Sequence, residues 1–343
     1  STHCISSAAS DVYKRQPGYP VVSAAVVAGK LTITQQQFFV GAGKDAGRQW
    51  QVPLNSNYSA APAIFADQSA TLGDYADLRK ASGEPFRLNV GNNSHFIVKY
   101  DDTLLQDILA NLDSLDAITQ LQLLQDLRLL AEGRQISYAA IVPLLDRFAA
   151  SHSTVVNDVL YGVASNLKKF VTPGSTEEKQ LQALFDKLSA SQVARLGWTP
   201  KAGESNDDQL TRPYVLNATL YAQNTESIAA AHAVFVAHQD NPATLPAATR
   251  NFILANELKH FGSDQLFDQL LNDYRSSSDA SYKADLASAL PTTQDTKQIA
   301  KLITLFEDAD TIKPQDLRAW YRGVLGNDKG QQAAWDWIRN DWQ

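Results

Sequence analysis

A chain of 343 residues with 44% hydrophobic content can bury a sizeable core, and its length suits two domains or one helical array. The net charge of −7 without any basic run excludes a nucleic-acid surface, which needs clustered Lys and Arg. No apolar stretch approaches the roughly 20 residues that span a bilayer, and a single cysteine, Cys4, excludes an internal disulfide framework and fits a cytoplasmic location.

The opening Ser1 to Gln16 lacks apolar periodicity and, without a long apolar core, fails as a signal peptide. The chain contains no Met, so Ser1 is expected not to be a natural start and residues 1–16 to be an atypical leader, foreign or disordered. From Pro17 the pattern changes to strands. Pro20 to Val27 is β-branched and alternating, Gly29-Lys30 is a turn, and Lys30 to Phe39 places Leu31 and Ile33 on one face with Thr32 and Thr34 on the other. Gln49 to Leu54, Phe86 to Val90 and Phe96 to Tyr100 read as further strands. With polar loops and no helix between them, they predict an antiparallel β-sandwich over residues 17–101.

After Asp101-Asp102 the period switches to about 3.6. One-faced stripes run through Ile141, Leu144, Leu145 and Phe148; Val156, Val159, Leu160, Val163 and Leu167; and Leu181, Leu184, Phe185 and Leu188. They recur at Leu266, Phe267, Leu270, Leu271 and Tyr274, and at Ile299, Leu302, Ile303 and Phe306. Gly133, Gly174 and Gly262 punctuate between elements, while Ser153, Thr176, Ser263, Asp279 and Asp102 are expected N-caps. Short helices of this kind hold only by stacking their stripes. The prediction is therefore a mainly α chain, with an α-helical solenoid-like (HEAT-like) superhelix over residues 102–343.

Other chemistry finds little support. The six histidines are scattered, and Glu257 with His260 at i, i+3 has no third ligand, so no metal site is expected. Gly41 to Gly47 lacks phosphate-loop spacing and precedes a strand rather than a helix, which favours a hairpin loop. No nucleophile elbow is present, and Cys4 lies in the leader. Asp207-Asp208 is expected to favour the positive N-terminus of a helix entered at Pro213.

Leu196-Gly197-Trp198, Gly203-Glu204-Ser205 and Asp207 to Tyr214 form a polar bridge between amphipathic helices. This stretch resembles the hallmark segment of the C-terminal helical domain of zinc aminopeptidases of the aminopeptidase N family. Pro17-Gly18-Tyr19-Pro20, Phe96 to Asp101, Asn256 to Lys259, Ala289 to Thr293, Trp335-Asp336-Trp337 and Asn340-Asp341-Trp342 follow in the same order. The family's His-Glu-x-x-His helix and Gly-x-Met-Glu-Asn strand are absent from these residues. The resemblance implies a non-catalytic C-terminal portion, inert alone, that encloses the active-site chamber of a parent enzyme carrying zinc and helps to bind and restrict peptide substrates.

Its expected partners are the parent's catalytic domain and peptide. The alternative reading is a free-standing helical-repeat scaffold for a peptide or protein. Arg212 and Arg250 lie near the starts of expected helices, where a cation opposes the helix dipole and needs another reason to be there. With Tyr214 and Lys259 they are the substrate-binding candidates, set against ordinary interhelix salt bridges. Compared with the family, the chain is expected to stop short of further helices. That leaves Trp335, Trp337 and Trp342 partly exposed and open to self-association.

Overall fold

A computed structural model describes residues 18–41 and 43–340; the expectations for residues 1–16, Pro17 and Trp342 lie outside them. The chain divides into two compact units, Ser1–Ser165 and Asn166–Gln343. It is mainly helical with a small N-terminal sheet that does not close into a barrel.

The first unit begins with the expected hairpin. Strands β1 (Pro20–Val27) and β2 (Lys30–Gln37) pair antiparallel with Val27 opposite Lys30. The two-residue turn falls at Ala28-Gly29, one residue earlier than expected, with Lys30 already in β2; it takes positive φ at both positions, 48° at Ala28 and 78° at Gly29, matching the twist of the flanking strands. Leu31 and Ile33 are fully buried, whereas Thr32 and Thr34 face outward. A short pair, β3 (Val52–Pro53) and β4 (Ile64–Phe65), stands as a second sheet. Its Val52 and Phe65 join Val22, Leu31, Ile33, Phe86 and Leu104 in one apolar cluster. Strands β5 (Ser69–Asp74) and β6 (Ile97–Tyr100) complete the main sheet in the order β5-β2-β1-β6.

Three expectations for this region are corrected. Phe86 to Val90 forms no strand: Phe86 and Leu88 are buried, but side chains take their neighbours' backbone groups. The Asn57 carboxamide oxygen accepts from the Arg87 amide at 2.8 Å and the Tyr100 hydroxyl from the Leu88 amide at 2.9 Å; with the Asn89 and Val90 amides donating to the Leu54 and Asn55 carbonyls at 2.8 and 2.9 Å, the segment is held by a mixture of side-chain and isolated backbone bonds rather than a regular ladder. The sheet is not purely antiparallel, because β6 pairs with β1 in parallel. A helix does intervene between the strands: α1 (Tyr75–Ser82), capped by Asp74, ends at Gly83 with φ 75°. It has no fully buried residue, and Tyr75 and Leu78, which rest partly buried on the apolar cluster, make too short a stripe for periodicity to reveal.

The unit continues with α2 (Asp102–Ala110), α3 (Ala117–Glu132), α4 (Tyr138–Leu145) and α5 (Thr154–Asn166), which reaches the division. The cap of α2 is Asp101, not Asp102, because the helix starts one residue earlier than expected. Asp101 accepts from the Leu104 amide at 2.9 Å and, through its other oxygen, from the Val26 amide at 2.7 Å. One carboxylate thereby ties the helix start to β1.

The second unit holds α6 (Thr176–Leu196), α7 (Asn206–Tyr221), α8 (Thr225–Val236), α9 (Arg250–His260), α10 (Asp264–Ser276), α11 (Ala280–Ala289), α12 (Thr296–Thr304), α13 (Leu317–Leu325) and α14 (Gln331–Asn340). The apolar stripes read from sequence are the buried faces: Leu181, Phe185 and Leu188 on α6, Phe267, Leu270, Leu271 and Tyr274 on α10, Ile299 and Leu302 on α12. Helices α6 and α7 pack on each other, as do α8 and α9, α9 and α11, and α13 and α14. Ser263 and Asp279 cap α10 and α11 as expected, while α6 is capped by Ser175 rather than Thr176. Helix α7 does not begin at Pro213. Ser205 caps it, accepting from the Asp208 amide at 3.1 Å, and Pro213 lies inside. A side-chain cap with acids in the first turn outweighs the start signal of an internal proline.

Near the end of the described chain Trp337 packs edge-on against Phe306 with ring centroids 5.1 Å apart. Trp335 is 55% exposed.

Candidate functional site

The polar bridge between α6 and α7 is a staple. Helix α6 ends at Leu196, and Gly197 turns the chain with φ 67°, a conformation a side chain would strain. Trp198 then packs on the apolar core of the second unit. Arg212, projecting from α7, is 3% exposed. It donates to the carbonyls of Leu196 and Gly197, each at 3.3 Å, and pairs with Glu204. Asp208 in turn takes Arg195. The reason for a cation here is thus internal: Arg212 sits in the second turn of its helix, not at the start, and closes the loop over its own helix N-terminus.

Arg250 is the first residue of α9, as expected, and it too is buried. Its guanidinium donates to Asp285 at 2.6 Å, to the Ala243 carbonyl at 2.9 Å and to the Ser281 hydroxyl at 3.1 Å, with Tyr282 beneath it at 5.1 Å. Such fork geometry suits Arg rather than Lys. It locks α9 to α11 and to the loop after α8. Among the four sequence candidates, the two arginines are therefore clamps in separate places.

Lys259 lies elsewhere, on the wall of an open trough. Two adjoining clefts, about 470 and 250 Å³, share Gln223, Lys259 and Thr292 as lining. Around them stand further carboxamides: Gln182, Gln294 and Asn327 on one side, Asn217, Asn251 and Asn256 on the other. Tyr214 is partly exposed and sits three and seven residues before Asn217 and Tyr221, on the stripe of α7 that leads into the smaller cleft. The trough brings together segments far apart in sequence. Asn256 to Lys259 meets Pro291-Thr292, whose Thr292 hydroxyl donates to the Ala255 carbonyl at 3.2 Å. Asn327 holds that corner, donating to the carbonyls of Pro291 at 2.7 Å and Thr293 at 2.8 Å.

The lining is polar and pre-set. The Asn256 carboxamide nitrogen is spent on the Ile228 carbonyl, while its buried oxygen has no hydrogen-bond partner. Side-chain amides supply both donors and acceptors, the complement of an extended peptide backbone. Lys168 and Lys259 add positive charge, Glu178 and Asp328 negative. Glu178 accepts from the Gly174 amide at 2.6 Å, and Asp328 lies 3.9 Å from Lys329. Burial and the neighbouring Lys259 push His260 down, toward the neutral form.

Sequence reading missed Lys168, Asn217, Gln223, Asn251 and Asn327, because none of these side chains belongs to a motif and only the fold brings them together. The Glu257-His260 pair does not share a ligand: buried Glu257 bonds His232 Nδ1 at 2.8 Å, and His232 stacks on Phe261. Among the described residues no group of three or more His, Cys, Asp or Glu is placed to hold a metal ion. The zinc implied by the resemblance therefore finds no ligand set among these side chains. Among the same residues no helix is long and apolar enough to cross a membrane.

Residues 86–343 match the ERAP1-like C-terminal domain family. The chain is 56% identical over 329 residues to aminopeptidase N of Lactobacillus helveticus, covering 96% of this chain and 39% of that protein. Against aminopeptidase N of Lactobacillus delbrueckii subsp. lactis it is 52% identical over 327 residues, 95% of this chain and 39% of the relative. Aminopeptidase M1 of Arabidopsis thaliana is 25% identical over 359 residues, 96% of this chain and 40% of the relative. The chain spans about two fifths of the length of these curated relatives.

Proposed function

The chain belongs to the ERAP1-like C-terminal domain family, and on that premise we propose that it is the non-catalytic region of a zinc-dependent aminopeptidase. Its helical trough lines the peptide chamber, grips the substrate backbone and restricts the peptides admitted. The observation that carries this reading is the convergence of two family-like segments, around Asn256 to Lys259 and Ala289 to Thr293, on one carboxamide-rich concave surface. Zinc and the bond-breaking step belong to the catalytic partner region. What these residues contribute is positioning: a held peptide presents its far end at a defined distance, and enclosure excludes water.

Each backbone hydrogen bond to the trough contributes about 0.5–1.5 kcal/mol net, so affinity rises with the number of residues engaged. Arg212 and Arg250 serve this site indirectly, by fixing α7 and α9, while Lys259 and Tyr214 remain the candidates for direct contact.

The test is fluorescence anisotropy with labelled peptides of three and nine residues. The longer peptide is expected to bind more tightly, and Lys259→Glu to weaken it about fivefold, equivalent to roughly 1 kcal/mol. Equal affinity for both lengths, or none for either, overturns the reading. Binding of a folded protein but not of peptide supports the scaffold alternative.

A further inference from the structure

Among the described lysines, Lys168 is the one whose surroundings suit chemistry rather than solvation. It lies in the short helical turn after α5 and lines the smaller cleft. Its amine sits 3.6 Å from the centroid of the Tyr221 ring and 5.1 Å from that of Phe185. Those rings meet edge-to-face 4.8 Å apart, so they form two walls of a box. Among the described residues no carboxylate lies within ion-pair reach of this amine. Its neighbour Lys169 is instead bonded to Asn166 at 3.0 Å. The cleft of about 250 Å³ in front of it admits a small molecule and is lined by hydroxyls and carboxamides, including Ser288, Thr292 and Asn217.

We propose that Lys168 is a covalent modification site, acylated by small acyl thioesters that enter this cleft. The neutral amine nitrogen attacks the thioester carbonyl carbon and forms the amide C–N bond. The C–S bond breaks, the thiolate leaves with the electron pair, and the proton lost from nitrogen passes to the thiolate or to water. No oxidant, reductant or metal enters the balance. The product is a neutral amide packed between two rings, which erases one of the two positive charges in the trough lining.

Electrostatics supports the same assignment. Burial pulls the Lys168 amine down to about 8, Glu178 opposing weakly, and the other cationic or titratable groups lining the cleft are Lys259, His260 and Tyr221, whose hydroxyl burial pushes up. At pH 7.5 the neutral fraction of such an amine is about two hundredfold that of an ordinary lysine. Part of this advantage is returned, because a weaker base is a weaker nucleophile.

The experiment is competitive trace labelling of the intact chain with S-acetyl-N-acetylcysteamine between pH 6 and 10. Each lysine is quantified by peptide mass spectrometry, with Lys168→Arg to assign the signal. Lys168 is expected to acylate at least about tenfold faster than Lys80 or Lys297 at pH 7.5, inflecting near pH 8. The difference should collapse to about onefold in denaturing urea. A folded-state rate equal to that of Lys80 and Lys297, or an inflection in the ordinary lysine range, overturns the proposal. The readout needs neither peptide nor protease activity, so it stands or falls apart from the reading of the trough as a peptide site.

Discussion

Arg212→Met is the most exacting test of the staple between α6 and α7. The guanidinium and the Glu204 carboxylate each have side chains only 4% exposed, and the second Glu204 oxygen already lacks a partner. Met keeps the volume but removes every donor, so a buried carboxylate is left with no counter-charge and the Leu196 and Gly197 carbonyls lose theirs. Breaking a buried pair from one side costs about 3–5 kcal/mol, mostly the desolvation of the abandoned charge. In a body of this size that is a fall in melting temperature of about 6–20 °C. The second arm removes the other charge as well. Arg212→Met with Glu204→Gln eliminates the stranded ion, so the double variant should be more stable than Arg212→Met alone, with a coupling of at least about 1.5 kcal/mol. Urea unfolding at 25 °C, followed by circular dichroism, gives both numbers. A loss below about 1 kcal/mol for Arg212→Met, or strict additivity of the two changes, would refute the argument that this arginine is a buried internal clamp.

Two further outcomes follow from the packing. Gly323 lies in α13 where an added Cβ would stand 2.8 Å from two ring carbons of Pro291, which a proline cannot swing aside. Alanine gains about 1 kcal/mol of helix propensity but overpacks by about 1–3 kcal/mol. Gly323→Ala should therefore lose about 1 kcal/mol in urea unfolding, and a gain contradicts this contact. Burial pushes the Asp126 carboxyl up to about 8, while its oxygen accepts from the Val98 amide at 3.1 Å. Between about pH 4 and 8 the folded chain keeps a proton that the unfolded chain has released. Stability through this group thus falls with rising pH by up to about 1.4 kcal/mol per unit, then levels off above pH 8. Asp126→Asn keeps the acceptor and should flatten that slope, gaining at least about 1 kcal/mol on the wild type at pH 8 relative to pH 4; an unchanged slope in urea titrations at both pH values rejects the assignment.

The legible part of this fold is local. The β1–β2 hairpin follows from alternation at Leu31 and Ile33 and a turn that tolerates positive φ. The helices of the second unit follow from apolar stripes every three to four residues, bounded by Ser263 or Asp279 acting as caps. Where burial is not local the reading fails. Helix α1 has no fully buried residue, only Tyr75 and Leu78 resting on the apolar cluster, too little to show as a period. Phe86 and Leu88 are buried like strand residues, yet Asn57, Tyr100 and a few isolated backbone bonds hold their segment instead of a regular ladder. The trough was legible only in outline: two of the segments that compose it, Asn256 to Lys259 and Ala289 to Thr293, resemble the family, but Lys259 was singled out alongside two arginines that are buried in interior ion pairs.

By itself the chain's order of residues determined a sheet-then-helices organisation, most of the buried faces and, through family likeness, the kind of protein this is. Those properties are written within a few residues, because a helix or strand selects its apolar face over one or two turns of its own backbone. Only the tertiary structure decided that β6 runs parallel to β1, that Arg212 answers Glu204 and Arg250 answers Asp285, and that Lys168, Lys259 and Thr292 share one cleft. Such partnerships join residues eight to more than a hundred positions apart. Close packing of whole elements selects them, and no local period records which neighbour a side chain will meet.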